Sequence, residues 1–234
     1  MSEPNTKPVD AKTLEKVVGG AYIRGTEGAD ATQGTAEADL IMTYGGNDYV
    51  QGSAGDDNLQ AGAGNDAVVA GDGNDYVNAD DGDDYVEGNA GNDVLAGGRG
   101  NDALVGGTGN DNLGGGEGAD FLDGGDGHDT LVGGAGVDAA FGGAGDDTFS
   151  WRPGEGSDYF EGGTGRDTVA VMGMTLDQVR DGLQAYGDGL QMQVGSNGSI
   201  AFTDASGQPA TFSGQLSFGG EVLRFDNVEA IRVY

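Results

Sequence analysis

Apolar and acidic positions recur along most of this 234-residue chain with a fixed period of nine residues. Every ninth position from Asp30 to Asp147 is an aspartate, and the position two residues later is apolar in nearly every repeat. A fixed period in this range predicts a stacked repeat architecture, because one unit cannot bury its apolar face alone. The recurring positions are Thr32, Ile41, Val50, Leu59, Val68, Val77, Val86, Leu95, Leu104, Leu113, Leu122, Leu131, Ala140 and Phe149.

Each nonapeptide predicts a glycine-rich turn, the aspartate, and a three-residue strand whose central side chain points inward. Glycine stands two residues before the aspartate in every repeat from Asp30 to Asp147 except one, where Glu37 replaces it. Glycine suits this position because the turn requires positive backbone dihedrals and a close approach of carbonyl groups. Two nonapeptides make one coil, and successive coils stack at ~4.8 Å. The prediction is therefore an all-β parallel solenoid with a thin core of Val and Leu between two sheets.

The aspartates form two columns in this arrangement, because residues eighteen apart lie directly above one another. Neighbouring carboxylates about 5 Å apart repel by roughly 3 kcal/mol at an effective dielectric near 20. A domain's whole stability is about 5–15 kcal/mol, so bare columns alone oppose folding. Carboxylates and backbone carbonyls are the ligands that Ca²⁺ prefers, whereas Mg²⁺ demands a strict octahedron. The predicted calcium ligands are Asp48, Asp57, Asp66, Asp75, Asp84, Asp93, Asp102, Asp111, Asp120, Asp129, Asp138, Asp147, Asp158 and Asp167.

Composition excludes several classes of function. The chain has 40 acidic and 10 basic residues, a formal net charge of −30, no Cys and a single His. This charge disfavours nucleic-acid binding and docking on an anionic membrane. The absence of Cys removes disulfides and Cys-ligated zinc, and one His cannot form a HExxH motif. No run approaches the ~18 apolar residues of a transmembrane helix.

The segment Gly97-Gly98-Arg99-Gly100-Asn101-Asp102-Ala103-Leu104-Val105 resembles the RTX (hemolysin-type) calcium-binding nonapeptide, as do the stretches from Gly106, Gly115, Gly124, Gly133, Gly142 and Gly162. The resemblance implies a right-handed parallel β-roll over residues 25–167, with Ca²⁺ between turns and each Asp bridging two ions. Two columns then offer at most about twelve regular sites. The turn glycines that the motif assigns to calcium are Gly98, Gly100, Gly107, Gly109, Gly116, Gly118, Gly125, Gly127, Gly134, Gly136, Gly143 and Gly145.

Several repeats depart from the motif. The glycine pair is replaced by Thr43-Tyr44 before Asp48 and by Ala79-Asp80 before Asp84. No ions are expected in the first two turns, around Asp30 and Asp39, because Glu37 replaces a turn glycine. Additional acids could be further ligands or simply solvated side chains, and both readings stay open for Asp56, Asp72, Asp80, Asp81 and Asp83.

The C-terminal residues 168–234 alternate apolar and polar positions with fewer glycines, which predicts a β-rich capping region that covers the open edge of the last coil. Thr175 is placed to cap a short helix through Leu176, Val179 and Leu183. Similarity to RTX proteins implies that this region also carries an uncleaved type I secretion signal. Strands are predicted at 168–171, 190–194, 199–203, 211–218 and 222–225.

The N-terminal residues 1–24 lack the long apolar core of a Sec signal peptide. Leu14 and Val17 precede Gly19-Gly20 and share a helical face with Val18, which resembles the double-glycine leader read by peptidase-containing ABC exporters. A plain tail before the first glycine-rich turn is the alternative interpretation.

The leading hypothesis is a non-enzymatic extracellular protein, exported by a type I (ABC) system and folded by calcium outside the cell. A surface or matrix role, with cell-surface polysaccharide as one partner, fits this hypothesis. Neither 1–24 nor 168–234 contains a His or a GxSxG motif, and His128 occupies the variable position before Asp129, where side chains are expected to vary freely. The alternatives are a secretion module or accessory of a secreted hydrolase or epimerase, and a calcium-dependent adhesin or ice-binding solenoid. The chain lacks the long apolar helices of a pore-forming toxin.

Overall fold

A computed structural model describes residues 15–17, 20–187, 190–195 and 197–234, and these form 25 strands and one helix. The helix is α1 (Leu176–Gly182). The strands are β1 (Glu15–Val17), β2 (Gly20–Arg24), β3 (Ala31–Gln33), β4 (Leu40–Met42), β5 (Tyr49–Ala54), β6 (Asn58–Ala63), β7 (Ala67–Asp72), β8 (Tyr76–Asp81), β9 (Tyr85–Ala90), β10 (Val94–Arg99), β11 (Ala103–Thr108), β12 (Asn112–Gly118), β13 (Phe121–Asp126), β14 (Thr130–Gly136), β15 (Ala139–Ala144), β16 (Thr148–Trp151), β17 (Tyr159–Thr164), β18 (Thr168–Val171), β19 (Leu183–Tyr186), β20 (Gln191–Val194), β21 (Ser199–Thr203), β22 (Pro209–Ala210), β23 (Phe212–Phe218), β24 (Glu221–Val228) and β25 (Ala230–Val233).

The strands form two sheets whose members come from alternate nonapeptides. One sheet runs β1-β2-β4-β6-β8-β10-β12-β14-β16-β18-β25-β21-β20, with β22 beside β21. The other runs β3-β5-β7-β9-β11-β13-β15-β17-β24-β23-β19 in space. Pairing within the roll is parallel at an offset of eighteen residues, as where Leu95 lies between Val77 and Leu113. The all-β parallel β-roll predicted from the period is confirmed.

The strands are longer than the three residues that the sequence predicts. Each regular strand spans six residues, as in β10 (Val94–Arg99), and buries two alternate positions rather than one. The second buried position is the first turn glycine, for example Gly97, or a small residue such as Ala61. The prediction was wrong here because it treated the glycine pair as turn, whereas the chain stays extended through the first glycine.

The core between the sheets is a double row of apolar side chains. Ile41, Leu95 and Leu131 from one sheet and Leu104 and Leu122 from the other are at most 1% exposed. Strand alternation keeps this row inward while the flanking side chains face solvent. At the C-terminal end the rows grow bulkier, where the rings of Phe149 and Phe160 stack with centroids 5.2 Å apart.

Each column contains eight aspartates, one more than the seven that follow the nine-residue period, so the roll has eight coils. The turn around Arg152–Glu155 inserts two residues, so that Phe149 pairs with Val169 at an offset of twenty. The columns nevertheless continue, because the Asp138 N–H donates to Asp158 Oδ1 at 2.9 Å and the Asp147 N–H donates to Asp167 Oδ1 at 2.9 Å.

The C-terminal region both caps and extends the roll. β24 pairs in parallel with β17, and β25 pairs in parallel with β18, so that these strands add a further layer to both sheets. Thr175 caps α1 with a capping box to Gln178, and Val179 is buried, as the sequence predicts. Leu183, which the sequence placed in the helix, lies instead at the start of β19. The predicted strands are present as β18, β20, β21, β23 and β24, while β19, β22 and β25 were missed.

At the N-terminus, β2 (Gly20–Arg24) pairs in parallel with β4, although the sequence placed these residues in the tail. The possible double-glycine leader includes residues 1–14 and 18–19, which lie outside the described residues. Within the described ranges, no helix is long and apolar enough to cross a membrane.

Four non-glycine residues occupy the second turn position with positive φ, where most repeats have glycine: Tyr44, Ser53, Asp80 and Asn89. Such backbone costs about 1–3 kcal/mol for a residue with a side chain. Ser53 also has φ 95° and a buried hydroxyl without a hydrogen-bond partner among the described residues. The N-terminal half of the roll is therefore the more strained half.

Replacing Ser53 with Gly is expected to stabilise the calcium-loaded protein by about 1 kcal/mol, because strain relief exceeds the entropy cost of a glycine. The reverse change one coil away, Gly71→Ser, is the matched control. A Cβ at Gly71 would lie 2.1 Å from the Ser53 carbonyl oxygen, so this variant should lose stability. Denaturant unfolding of both variants checks the prediction, and a destabilised Ser53→Gly protein would contradict it.

Candidate metal centre

Each column aspartate lies at the end of its turn with its side chain directed into the roll. From Asp48 to Asp167 these side chains are at most 4% exposed. One carboxylate oxygen of each accepts a hydrogen bond from the backbone N–H of the aspartate one coil earlier, as where the Asp93 N–H donates to Asp111 Oδ1 at 2.7 Å. The same bond repeats from Asp30 to Asp167 at 2.7–2.9 Å. The columns are thus fixed in position by the backbone.

Except at Asp158, the second carboxylate oxygen of these aspartates has no hydrogen-bond partner in the part of the chain that the structure describes. Thirteen Oδ2 atoms are buried without a hydrogen-bond donor among the described residues. None of the ion pairs formed by described residues includes a column carboxylate. A buried charged oxygen without a partner is strongly unfavourable, so these atoms mark positions for a cation. They belong to Asp48, Asp57, Asp66, Asp75, Asp84, Asp93, Asp102, Asp111, Asp120, Asp129, Asp138, Asp147 and Asp167.

Glycines form the walls around these oxygens. A Cβ at the first turn glycine would collide with the aspartate five residues later, as at Gly115, where Asp120 Oδ2 would lie 2.3 Å away. Thr43, Ala61, Ala70 and Ala79 occupy this place in four N-terminal turns. The glycines predicted from the motif occupy the second and fourth turn positions, have positive φ and lie against a carbonyl oxygen one coil earlier, at Gly98, Gly100, Gly107, Gly109, Gly116, Gly118, Gly125, Gly127, Gly134, Gly136, Gly143 and Gly145.

Burial raises the pKa of the column carboxyl groups, because the cation-free site offers no charge to offset their desolvation. The pKa rises to about 7 for Asp57, Asp84 and Asp147. It rises to about 6 for Asp111 and Asp120, with burial again the largest cause. The backbone N–H bonds oppose this rise without cancelling it. The columns therefore favour either a proton or a metal ion.

The N-terminal ends of the columns are closed by two threonines, through their backbone N–H groups and their hydroxyls. Thr26 N–H donates to Asp30 Oδ2 at 2.5 Å, and Thr35 N–H donates to Asp39 Oδ2 at 2.5 Å, so these oxygens have partners. That no ions bind in the first two turns stays a prediction; it was argued from Glu37, whereas the structure adds these threonine bonds. The sequence showed no signal for these threonines as caps.

At the opposite end, one column terminates on a glutamate from the C-terminal region. The Asp167 N–H donates to Glu229 Oε2 at 2.6 Å, and Glu229 Oε1 accepts from the Thr211 hydroxyl at 2.6 Å. Glu229 thus takes the place of the next column aspartate. Sequence reasoning missed this residue, because Glu229 lies 62 positions beyond Asp167 and outside the repeat.

A second ladder runs along the outer turn surface and involves the residue before many of the column aspartates. The Asn110 side chain accepts from the His128 N–H at 2.8 Å, and His128 Nδ1 accepts from the Asp146 N–H at 2.7 Å. His128 therefore belongs to a hydrogen-bonded series that the sequence prediction did not include, although Ala119 and Val137 show that the side chain at this position does vary. Sequence periodicity could have shown it, since Asn recurs there.

The additional acids lie outside the columns. Asp56 accepts from the Asn74 N–H at 2.8 Å and Asp83 accepts from the Asn101 N–H at 2.8 Å, both in the outer ladder. Asp81 pairs with Arg99 at 3.1 Å on the exposed surface. For these three acids the solvated and structural interpretation is the one that the contacts support.

The donor set fits a hard cation. In the described part of the chain, no three His, Cys, Asp or Glu side chains converge on one point, so a bound ion must draw on backbone carbonyls as well as on column carboxylates. An all-oxygen set of this kind suits Ca²⁺. The residues that would hold it are the column aspartates and the backbone of the turn glycines, and the ion would neutralise the unpaired Oδ2 atoms.

Calcium affinity is expected to fall on acidification. For Asp57 the folded pKa of about 7 exceeds the ordinary value of 3.8, so protonation stabilises the cation-free roll fully below pH 3.8. That contribution is lost as pH rises through about 7. Protons therefore compete with Ca²⁺, and the calcium midpoint at about pH 5.5 should exceed that at about pH 7.5 by tenfold or more. Circular dichroism titrations at both pH values check this, and an unchanged midpoint would contradict it.

Comparison with known proteins agrees with this geometry. The family model of the RTX calcium-binding nonapeptide repeat (4 copies) matches residues 24–59, 42–77, 51–86, 78–113, 114–149 and 154–170, which together cover more than half of the chain. No curated protein matches. Among solved structures, the extracellular lipase LipA from Serratia marcescens is similar at 19% identity and a TM-score of 0.28. The match covers 88% of this chain and 37% of the lipase, so the chain spans well under half the length of that protein.

Proposed function

The chain belongs to the family of RTX calcium-binding repeat proteins, and from this premise we propose that it is a non-enzymatic extracellular protein whose roll folds when calcium binds after export. Calcium binding by a β-roll is the shared property of the family. The further steps, export and folding on calcium, are the proposal. The observation that supports it best is the set of thirteen buried, unpartnered carboxylate oxygens in two columns.

Coupling of folding to calcium suits export through a narrow channel. Cytosolic sensors respond to Ca²⁺ at 10⁻⁷–10⁻⁵ M, whereas extracellular modules bind at about 10⁻⁴–10⁻³ M. With weak sites of the extracellular type, the columns would carry uncompensated charge in the cytosol and keep the chain unfolded. Outside the cell, ligand binding and folding become one event. At most about twelve ions are proposed, one for each gap between successive aspartates from Asp48 to Asp158 and from Asp57 to Asp167.

The proposal assigns the roll a surface or matrix role with no catalytic residues. On the turns, the Asp56 and Asp83 side chains accept backbone hydrogen bonds, and His128 serves the outer ladder. Type I export machinery is the proposed partner before folding. The test combines a calcium titration of the purified chain with the intact mass of the protein recovered from the medium of a type I secreting host. Calcium-independent β structure would overturn the folding proposal, and retention in the cytosol would overturn the export proposal.

A further inference from the structure

The outer face of the sheet that contains β5 to β17 carries a regular row of aromatic side chains. Tyr49, Tyr85, Phe121 and Tyr159 occupy equivalent positions on every second strand. The strands between them carry alanine at the same position, as where Ala103 lies between Tyr85 and Phe121. Tyr49, Tyr85 and Phe121 are 42–48% exposed. We call these four rings the aromatic rungs.

Acidic side chains stand beside three of the rungs. The residue two positions along each of these strands, on the same face, is Glu87 beside Tyr85, Asp123 beside Phe121 and Glu161 beside Tyr159. The Tyr85 and Tyr159 hydroxyls each lie 3.3 Å from the neighbouring glutamate oxygen. The intervening strands carry the apolar residues Val69, Val105 and Phe141 at that position. The Phe141 ring fills the gap between Phe121 and Tyr159, with its centroid 5.3 Å and 5.9 Å from theirs.

The charge of this face selects its occupant. Along the two outward rows from Ala31 to Glu161, no position is Lys or Arg. The first basic side chain beyond them is Arg224, which pairs with Tyr159 at the C-terminal end of the row. A second copy of this chain, a nucleic acid or an acidic polymer would meet like charge. A cation above a Tyr or Phe ring within about 6 Å is attracted by the ring, and an adjacent carboxylate strengthens the contact. The face therefore complements a row of cations.

The spacing of the rungs selects the conformation of that occupant. Two coils separate successive rungs, which is ~9.6 Å. A polyproline II segment rises ~3.1 Å per residue with three residues per turn, so every third side chain repeats at ~9.3 Å on one face. Alternate side chains of a β-strand repeat at only ~6.8 Å and would lose register with the rungs. We propose that the aromatic rungs bind an extended, proline-rich polypeptide with an Arg or Lys at every third residue.

The proposal goes beyond calcium binding and depends only on the folded roll. Fluorescence anisotropy of labelled (Arg-Pro-Pro)4 in excess calcium and about 150 mM NaCl measures the affinity. A control peptide of the same composition carries its four arginines in one block. The regular peptide is expected to bind at least fivefold more tightly, because only its arginines reach successive rungs. Equal affinities would show attraction by net charge alone and would overturn the proposal.

Variants on the two sheets separate the rungs from charge in general. The double variant Tyr85→Thr/Phe121→Thr should weaken binding about five- to twentyfold, since each cation–ring contact contributes a factor of about two to five. Tyr76→Thr is the matched control, because Tyr76 occupies the same repeat position on the opposite sheet and is 45% exposed. Threonine keeps the strand preference at all three positions. An equal loss in the control would overturn the proposal.

Two further readings complete the test. Binding of a neutral β-linked oligosaccharide that is lost in the double variant, with peptide affinity unchanged, would assign the face to carbohydrate and overturn the peptide. Circular dichroism of the same samples reports the fold, so a folded roll that fails to bind the peptide refutes this proposal and leaves calcium-dependent folding standing.

Discussion

In the presence of a chelator the roll is expected to lose its β structure and to regain it when calcium is added. Thirteen carboxylate oxygens are buried with no hydrogen-bond partner among the residues that the structure describes, and neighbouring charges in a column repel by roughly 3 kcal/mol per pair. Several such pairs exceed the ~5–15 kcal/mol stability of a domain. Far-UV circular dichroism at neutral pH should therefore change from disordered to β on titration with calcium. Trp151, 1% exposed, provides a second signal, because unfolding transfers its indole to water.

Two controls make this result specific. Magnesium and matched concentrations of NaCl should produce a much smaller change. Mg²⁺ requires a strict octahedron of oxygen ligands and retains its waters, and Na⁺ carries a single charge. Asp111→Asn should raise the calcium midpoint, since Asp111 has an unpartnered buried oxygen, whereas Asp126→Asn on the exposed turn should not. A β spectrum that persists in chelator, or equal effects of the two substitutions, would refute calcium-coupled folding.

Gly116→Ala is expected to destabilise the calcium-loaded protein by about 3 kcal/mol or more, whereas Gly114→Ala is expected to be neutral or slightly stabilising. Gly116 has φ 117°, and a Cβ there would lie 2.1 Å from the carbonyl oxygen of Gly98 in the coil beneath. Both the dihedral strain and the forced separation of two coils oppose the substitution. At Gly114 no atom lies within 4 Å of a Cβ, and the strand gains from the lost glycine entropy.

Denaturant unfolding in excess calcium measures both variants, and the calcium midpoint by circular dichroism gives a second reading. The two glycines are only two residues apart, so position along the chain, local composition and net charge are matched. Equal losses of stability would show that glycine content, rather than its placement against the next coil, determines the stability of the roll.

Much of the fold follows from sequence because the information is repeated. One nonapeptide is ambiguous, but the same nine-residue pattern from Asp30 to Asp147 leaves only stacked parallel coils that bury the recurring apolar position of every repeat together. The position of the column aspartates follows from the same period. The resemblance of Gly97–Val105 to the RTX nonapeptide is supported by the family match.

The prediction failed where contacts cross coils or leave the repeat. Strand length was underestimated, because the sequence does not show that Gly97 remains extended and buried. His128 was treated as free, although its ring is fixed by a backbone N–H eighteen residues away. The column ends were also hidden, since Thr26, Thr35 and Glu229 act as caps only by proximity to particular aspartates.

By itself, the sequence determined the parallel roll, its two acidic columns and the chemistry of the ion that they require, because these depend on a local pattern and on the repulsion of like charges. The tertiary structure alone decided which oxygens are left without a partner and which residues close the columns. It also distinguished the three glycines 114–116, which face solvent, the Asp120 carboxylate and the Gly98 carbonyl respectively. Identical residues differ here because burial and close contact are set by the adjacent coil, eighteen residues away.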